Sequence, residues 1–170
     1  GTGPVYIIRN RKSPDPHIAF VCNGNYKILT GGVLSAVTDA DLPAPFCAVS
    51  IDGYFVFGVS NGRMYQSDVD DGTSVDPLAF SAAETYADAI VTLASRDREL
   101  VVLGEASTEF WTNTGADYFV FSRVTSTEIG CLSAASAARV AQSVAFVAHD
   151  GTVRMFEGYQ PNRISTHAVE

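Results

Sequence analysis

Apolar runs of four to six residues alternate with tight-turn signals along this chain, and the alternation has a period. Four turns anchor it: Cys22-Asn23-Gly24-Asn25, Ser60-Asn61-Gly62-Arg63, Glu105-Ala106-Ser107-Thr108 and His149-Asp150-Gly151-Thr152. With Gly24, Gly62, Ser107 and Gly151 taken as equivalent, the intervals are 38, 45 and 44 residues. Asn-Gly and Asp-Gly favour type I′ hairpins, because both central residues need positive φ. Ala106-Ser107 lacks that chemistry and calls for another turn type. Ile18–Val21, Tyr54–Val59, Leu100–Gly104 and Val144–Ala148 precede the turns, and Tyr26–Thr30, Met64–Ser67, Glu109–Thr112 and Val153–Phe156 follow them. Val, Phe, Tyr and Ile dominate these runs, as half-buried strands require. A further run lies before three of the hairpins, at Phe46–Ile51, Ile90–Ala94 and Ala135–Val140. An outer one lies after them, at Leu78–Phe80, Phe119–Arg123 and Asn162–Ser165.

Four antiparallel strands in about 45 residues is the signature of a propeller blade. The expected fold is therefore all-β, a partial β-propeller of four-stranded antiparallel blades, with units at about 5–45, 46–88, 89–132 and 133–170. Ala48, Ala94, Ala134, Ala135, Ala137 and Ala138 are small enough for inner strands crowded at an axis. Alanine also favours helix, so Ser133–Val140 and Ser81–Ala89 carry helix as the competing reading. The first unit contains Pro14 and Pro16 and has only Val5–Ile8 to offer as an inner strand. Propellers close with four to eight blades, so 170 residues predict an incomplete ring with exposed strand edges.

Composition narrows the function classes. The chain is 46% hydrophobic and 18% charged, which is ordinary for a globular domain. No apolar run reaches the ~18 residues of a membrane-spanning helix, and no secretory signal opens the chain. Gly1–Pro4 is expected to be a cut end. The net charge of −8 argues against a phosphate-gripping surface, and Arg9, Arg11 and Lys12 are the only local basic cluster. Cys22, Cys47 and Cys131 match neither a CxxC metal site nor a disulfide framework. They are expected to serve as small apolar residues in a reducing compartment.

Several motifs carry candidate chemistry. Gly58-Val59-Ser60-Asn61-Gly62 fits the GxSxG nucleophile elbow, with His149 and His167 as possible partners. An elbow needs a helix after the serine, whereas a strand is predicted there, so a hairpin turn is expected. Asp68, Asp70 and Asp71, with Gly72 and Asp76, resemble a calcium loop in supplying clustered carboxylates. The spacing departs from an EF-hand, and an Asx-rich connection is the simpler reading. His17, His149 and His167 are far apart and predict no metal triad. Phe110 and Trp111 are adjacent on one strand and so face opposite sides, one toward core and the other toward an interface or a neighbouring blade. The loops Asp68–Pro77 and Thr112–Tyr118 are the candidate recognition loops, with Asp70, Asp71, Asp76, Asn113 and Asp117 as the residues to watch.

The stretch from Gly53 to Glu170 resembles the packaged-DNA stabilisation proteins of short-tailed bacteriophages, also called tail hub or head-completion proteins. Asp71–Phe80 (DGTSVDPLAF), Glu99–Gly115 (ELVVLGEASTEFWTNTG) and Gly158–Glu170 (GYQPNRISTHAVE) carry the resemblance. It implies a structural protein of the virion tail, assembled in the host cytoplasm, without catalytic residues or cofactors, and a fragment of a longer chain. It further implies a homohexameric ring on a portal–adaptor complex that retains packaged DNA and offers docking sites to the tail needle and tailspikes. No sequence-specific nucleic-acid or membrane partner is implied. A generic β-propeller protein-binding module and a propeller-fold hydrolase are the alternatives.

Overall fold

The structure is a computed structural model that describes residues 3–83 and 88–166. Among the described residues, sixteen strands form four separate four-stranded antiparallel sheets, each made of strands consecutive in sequence. The first sheet holds β1 (Tyr6–Arg9), β2 (Ile18–Cys22), β3 (Asn25–Thr30) and β4 (Val33–Ala36). The second holds β5 (Pro45–Ile51), β6 (Tyr54–Val59), β7 (Arg63–Gln66) and β8 (Phe80–Ala82). The third holds β9 (Ile90–Arg96), β10 (Glu99–Gly104), β11 (Thr108–Asn113) and β12 (Phe121–Thr127). The fourth holds β13 (Ala138–Val140), β14 (Ser143–Val147), β15 (Val153–Glu157) and β16 (Gln160–Arg163). The fold is an open β-propeller.

Burial is concentrated between sheets. Ala19, Val21, Tyr26 and Ile28 of the first sheet pack with Phe55 and Phe57 of the second. Val49, Val56 and Met64 pack with Leu100, Val102 and Trp111 of the third. Val101, Leu103 and Phe110 pack with Val144, Phe146 and Phe156 of the fourth. Alternation along each strand thus sends one set of side chains forward to the next sheet and the other back to the preceding one. Phe110 and Trp111 show this in full: both are buried, and both serve inter-sheet packing. Phe110 meets Phe156 edge-on at 4.9 Å between ring centroids, while Trp111 faces Phe119 at 6.1 Å. Arg96 is inserted at the same third junction. Its guanidinium lies 4.6 Å from the Phe110 ring centroid and 5.1 Å from that of Tyr159, and pairs with Glu99 at 2.8 Å.

The four hairpin turns fall where the pattern puts them. Asn23 and Gly24 both have positive φ, 46° and 79°, as a type I′ turn demands. At Asn61-Gly62 and Asp150-Gly151 only the glycines do, at 79° and 82°, so the type I′ expectation fails at those two turns and a single left-handed glycine closes each. The Ser107 turn is held differently. Asp88, from the segment before β9, accepts hydrogen bonds from the N–H groups of Ala106 (2.8 Å) and Ser107 (2.9 Å). The carboxylate holds by hydrogen bonds a turn that contains no positive-φ residue.

Departures from the sequence expectation are local. The run Ala135–Val140 is split: Ala134–Ser136 makes one 3-10 turn, and only Ala138–Val140 is strand. This strand is exposed, so Ala138 is not crowded by an axis. Strand β8 begins at Phe80 rather than Leu78, since Asp76 holds Leu78 N (2.8 Å) in a turn. Strand β4, missing from the sequence reading, follows the Gly31-Gly32 turn. The helix weighed at Ser81–Ala89 meets strand at Ser81 and Ala82, and residues 84–87 lie outside the described ones.

Candidate functional site

Antiparallel order places the β1–β2, β5–β6, β7–β8, β9–β10, β11–β12 and β13–β14 connections at one end of the sheets. Contacts between them confirm it. Arg11, Asp52, Gly53, Asp97, Arg98 and Arg139, from all four sheets, line one open depression of about 550 Å³. Folding therefore gathers arginines that are scattered in sequence, and the local cluster at Arg9–Lys12 contributes only Arg11 to it. The acids lie among them: Arg98 contacts Asp52 at 3.3 Å, and Asn113 donates to the same carboxylate at 3.2 Å.

The two recognition loops flank this depression but differ in how their polar residues are used. Asp70 and Asp71 are engaged within the chain. Asp70 Oδ1 accepts from Arg11 N at 3.1 Å, and Asp70 N donates to Gly53 O at 2.9 Å. Asp71 Oδ1 accepts from Thr73 Oγ1 (2.6 Å) and Thr73 N (3.0 Å), with Lys12 Nζ 3.9 Å from Oδ2. Burial pushes the Asp71 carboxyl up, but the Thr73 hydrogen bonds and the Lys12 and His17 charges outweigh it and hold it below the ordinary range. His17 is buried beneath the loop, where its Nδ1 accepts from Gly72 N at 3.2 Å. Lys12 Nζ lies 3.1 Å from its other ring nitrogen. Burial and the Lys12 charge depress the His17 pKa. The acidic run is thus a clasp joining the β7–β8 loop to the β1–β2 loop.

The Asp70 and Asp71 carboxylates point to different protein partners, while the backbone N–H of Asp68 donates to Ser74 O at 2.9 Å. Among the described residues, no three His, Cys, Asp or Glu side chains converge as a metal site would need. Ser60 sits on an exposed hairpin tip, with Gly62 at φ 79° and β7 starting at Arg63. The GxSxG string is a turn. His149 belongs to the fourth sheet, where its Nδ1 accepts from Gly130 N at 3.0 Å. His167 lies outside the described residues. Cys47 and Cys131 are buried, Cys22 is half-buried, and none is in a disulfide. Burial pushes the Cys47 thiol up to about 12.

Sequence reasoning missed the residue that ties the two loops together. Gln66 is buried at the end of β7, and its side chain reaches the next sheet. Nε2 donates to Tyr118 O at 2.9 Å, and Oε1 accepts from Val120 N at 2.9 Å. A glutamine in a strand otherwise read by its apolar members was the available signal. Asp117 is exposed, and Asp76 is exposed apart from its turn contact. Val69, Leu78 and Tyr118, at 57%, 53% and 60% exposure, put apolar surface on the same two loops.

A protein-family model described as bacteriophage P22 Gp10, beta-propeller, matches residues 11–170. The chain belongs to this family. The match extends the resemblance seen from Gly53 onward back to residue 11, which takes in β2, β3 and β4 of the first sheet, and the family is one of structural phage β-propeller proteins that stabilise packaged DNA. No curated protein matches. Solved structures support the fold alone. BamB from Moraxella catarrhalis is 12% identical with a TM-score of 0.59, and the match covers 96% of this chain and 49% of BamB. The WD40 β-propeller domain of Doa1 is also 12% identical, at TM-score 0.59, with 86% of this chain and 49% of that one covered. The computationally designed Ika4 protein is 15% identical, at TM-score 0.56, with 92% of each chain covered. This chain spans about half the length of BamB and of the Doa1 domain.

Proposed function

We propose that this phage-stabilisation propeller works as a tail hub. It docks on a portal–adaptor complex as a six-membered ring, closes the exit against packaged DNA, and presents sites for the tail needle and tailspikes. The observation that carries this reading is the family match over residues 11–170. The loop end of the sheets supplies the docking surface. Val69, Leu78 and Tyr118 offer apolar contact there, on loops fixed by the Asp70–Asp71 clasp and by Gln66. Rigid loops with exposed apolar tips lose little conformational entropy on binding. Retention of DNA then comes from blocking an exit, which demands no phosphate grip from an acidic chain.

The test is reconstitution with portal–adaptor particles followed by electron microscopy. Particles should gain a six-fold layer, and Leu78→Asp with Tyr118→Asp should abolish it without changing the circular dichroism spectrum. If particles lacking the protein retain DNA and accept needles normally, the tail-hub reading fails.

A further inference from the structure

A long unpaired strand edge is a template for another strand, and natural proteins shorten it, charge it or place proline on it. Three of the four outer strands are blunted in this way. Strand β8 has three residues and β4 has four. Strand β16 has four, among them Pro161, which offers no N–H. Strand β12 differs: it runs for seven residues, Phe121–Thr127, with neither Pro nor Gly. Phe121, Val124, Thr125 and Thr127 are good strand formers. Its one charge, Arg123, is held 3.4 Å from the Glu109 carboxylate, whose other oxygen accepts from the Trp111 indole N–H at 3.0 Å. A bulge at Val124 interrupts the edge without covering it. The third sheet itself is packed on both faces, by the second sheet and by the fourth.

The register shows which backbone groups that edge presents. Gly104 N donates to Ser107 O at 2.8 Å, and Thr114 N donates to Val120 O at 2.9 Å. Hydrogen-bonded and non-bonded pairs alternate in an antiparallel ladder, so the odd-numbered residues of β11 bond β10 and the even-numbered ones bond β12. Opposite the even-numbered residues stand Ser122, Thr125 and Thr127, which are tied inward. Phe121, Arg123 and Ser126, opposite Asn113, Trp111 and Glu109, turn their N–H and C=O groups outward. Among the described residues, no backbone hydrogen bond takes these groups up.

We infer that β12 accepts a fifth strand, an extended segment of the assembly on which the loop end docks, hydrogen-bonded to the outward groups of Phe121, Arg123 and Ser126. The inference rests on the docking reading above. Continuity names the occupant: β12 begins three residues after Tyr118, the exposed tip of a docking loop, so a chain seated on that tip is led onto the edge. Charge disfavours a second copy, which would bring another −8 to lie edge to edge. The side chains on β12 beside the edge are Val124, 49% exposed, and the hydroxyls of Ser122, Thr125, Ser126 and Thr127. They suit an incoming strand of β-branched and hydroxyl residues.

Amide hydrogen exchange, read residue by residue on the free chain and on the chain bound to portal–adaptor particles, tests this. In the free chain the amides of Ser122, Thr125 and Thr127 should be protected, and those of Phe121, Arg123 and Ser126 should exchange fast. In the particle the last three should slow by about tenfold or more. Ser126→Pro removes an outward N–H, so it should keep the circular dichroism spectrum and weaken particle binding by about tenfold. Thr125→Pro removes an inward N–H and should lower the melting temperature. If Ser126→Pro does not fold, exchange on the unaltered chain decides alone. A layer that forms without protecting these three amides overturns strand addition and leaves the tail-hub reading standing, whereas the absence of any layer overturns both. A doubled mass with the same protection in the absence of particles overturns the choice of partner.

Discussion

Gly62 and Gly130 are glycines for different reasons, and alanine separates them. Gly62 has φ 79° with open space around it, so Gly62→Ala meets only backbone strain, about 1 kcal/mol. A Cβ on Gly130 would collide with the Glu105 carbonyl and the Ala106 nitrogen, backbone atoms that cannot swing aside. Gly130→Ala should therefore cost at least twice as much in urea unfolding, or fail to fold. Arg96 offers a second test. Its guanidinium is almost fully buried among Phe110, Phe156 and Tyr159 and paired with Glu99. Arg96→Ala should lower stability by about 3 kcal/mol, because it removes the cation–π contacts and leaves the Glu99 charge unpaired. At this scale legibility followed chemistry that is local in sequence. Asn23-Gly24 and Asn61-Gly62 announce their turns, whereas the Ser107 turn depends on Asp88, 19 residues away.

The β7–β8 loop is the element whose behaviour should follow pH. His17 accepts from Gly72 N through its neutral form, and its folded pKa lies below the ordinary 6.5. The unfolded chain therefore takes up that proton first. The stability contributed by His17 is complete above about pH 6.5 and is lost as pH falls toward the folded pKa. Asp71, depressed below 3.8, contributes above that value and loses its contribution only as pH falls through its own folded pKa. Thermal melts should show the melting temperature falling below about pH 6.5, and His17→Gln should flatten that first step. Unchanged slopes would exclude the clasp as the cause. Strands with paired apolar runs were legible, and β6, β10 and β14 stand where the pattern puts them. Strand β4 escaped because all four of its residues are exposed, leaving no alternation to read. The clasp escaped because Asp68–Asp71 looks the same in sequence whether its carboxylates face solvent, a cation or Arg11 and Thr73.

For the whole molecule, the charge balance predicts negligible affinity for duplex DNA. Arg11, Arg98 and Arg139 share one depression, but Asp52 and Asp97 stand among them and the chain carries −8 overall. Fluorescence anisotropy at physiological salt should give no Kd tighter than ~1 µM, and tighter, salt-sensitive binding would refute this. The depression itself was not legible, since its residues come from four units and only the ring's curvature brings them together. The consecutive order of strands within each sheet has a consequence for synthesis. Every sheet closes on strands adjacent in the chain, so no early strand waits for a late one. A sheet is complete as soon as its fourth strand leaves the ribosome, and the next can template on its forward face. Nascent chains stalled once Ala82 has left the ribosome should already protect the amides of the first two sheets, whose shared junction is then complete, so that the propeller grows blade by blade.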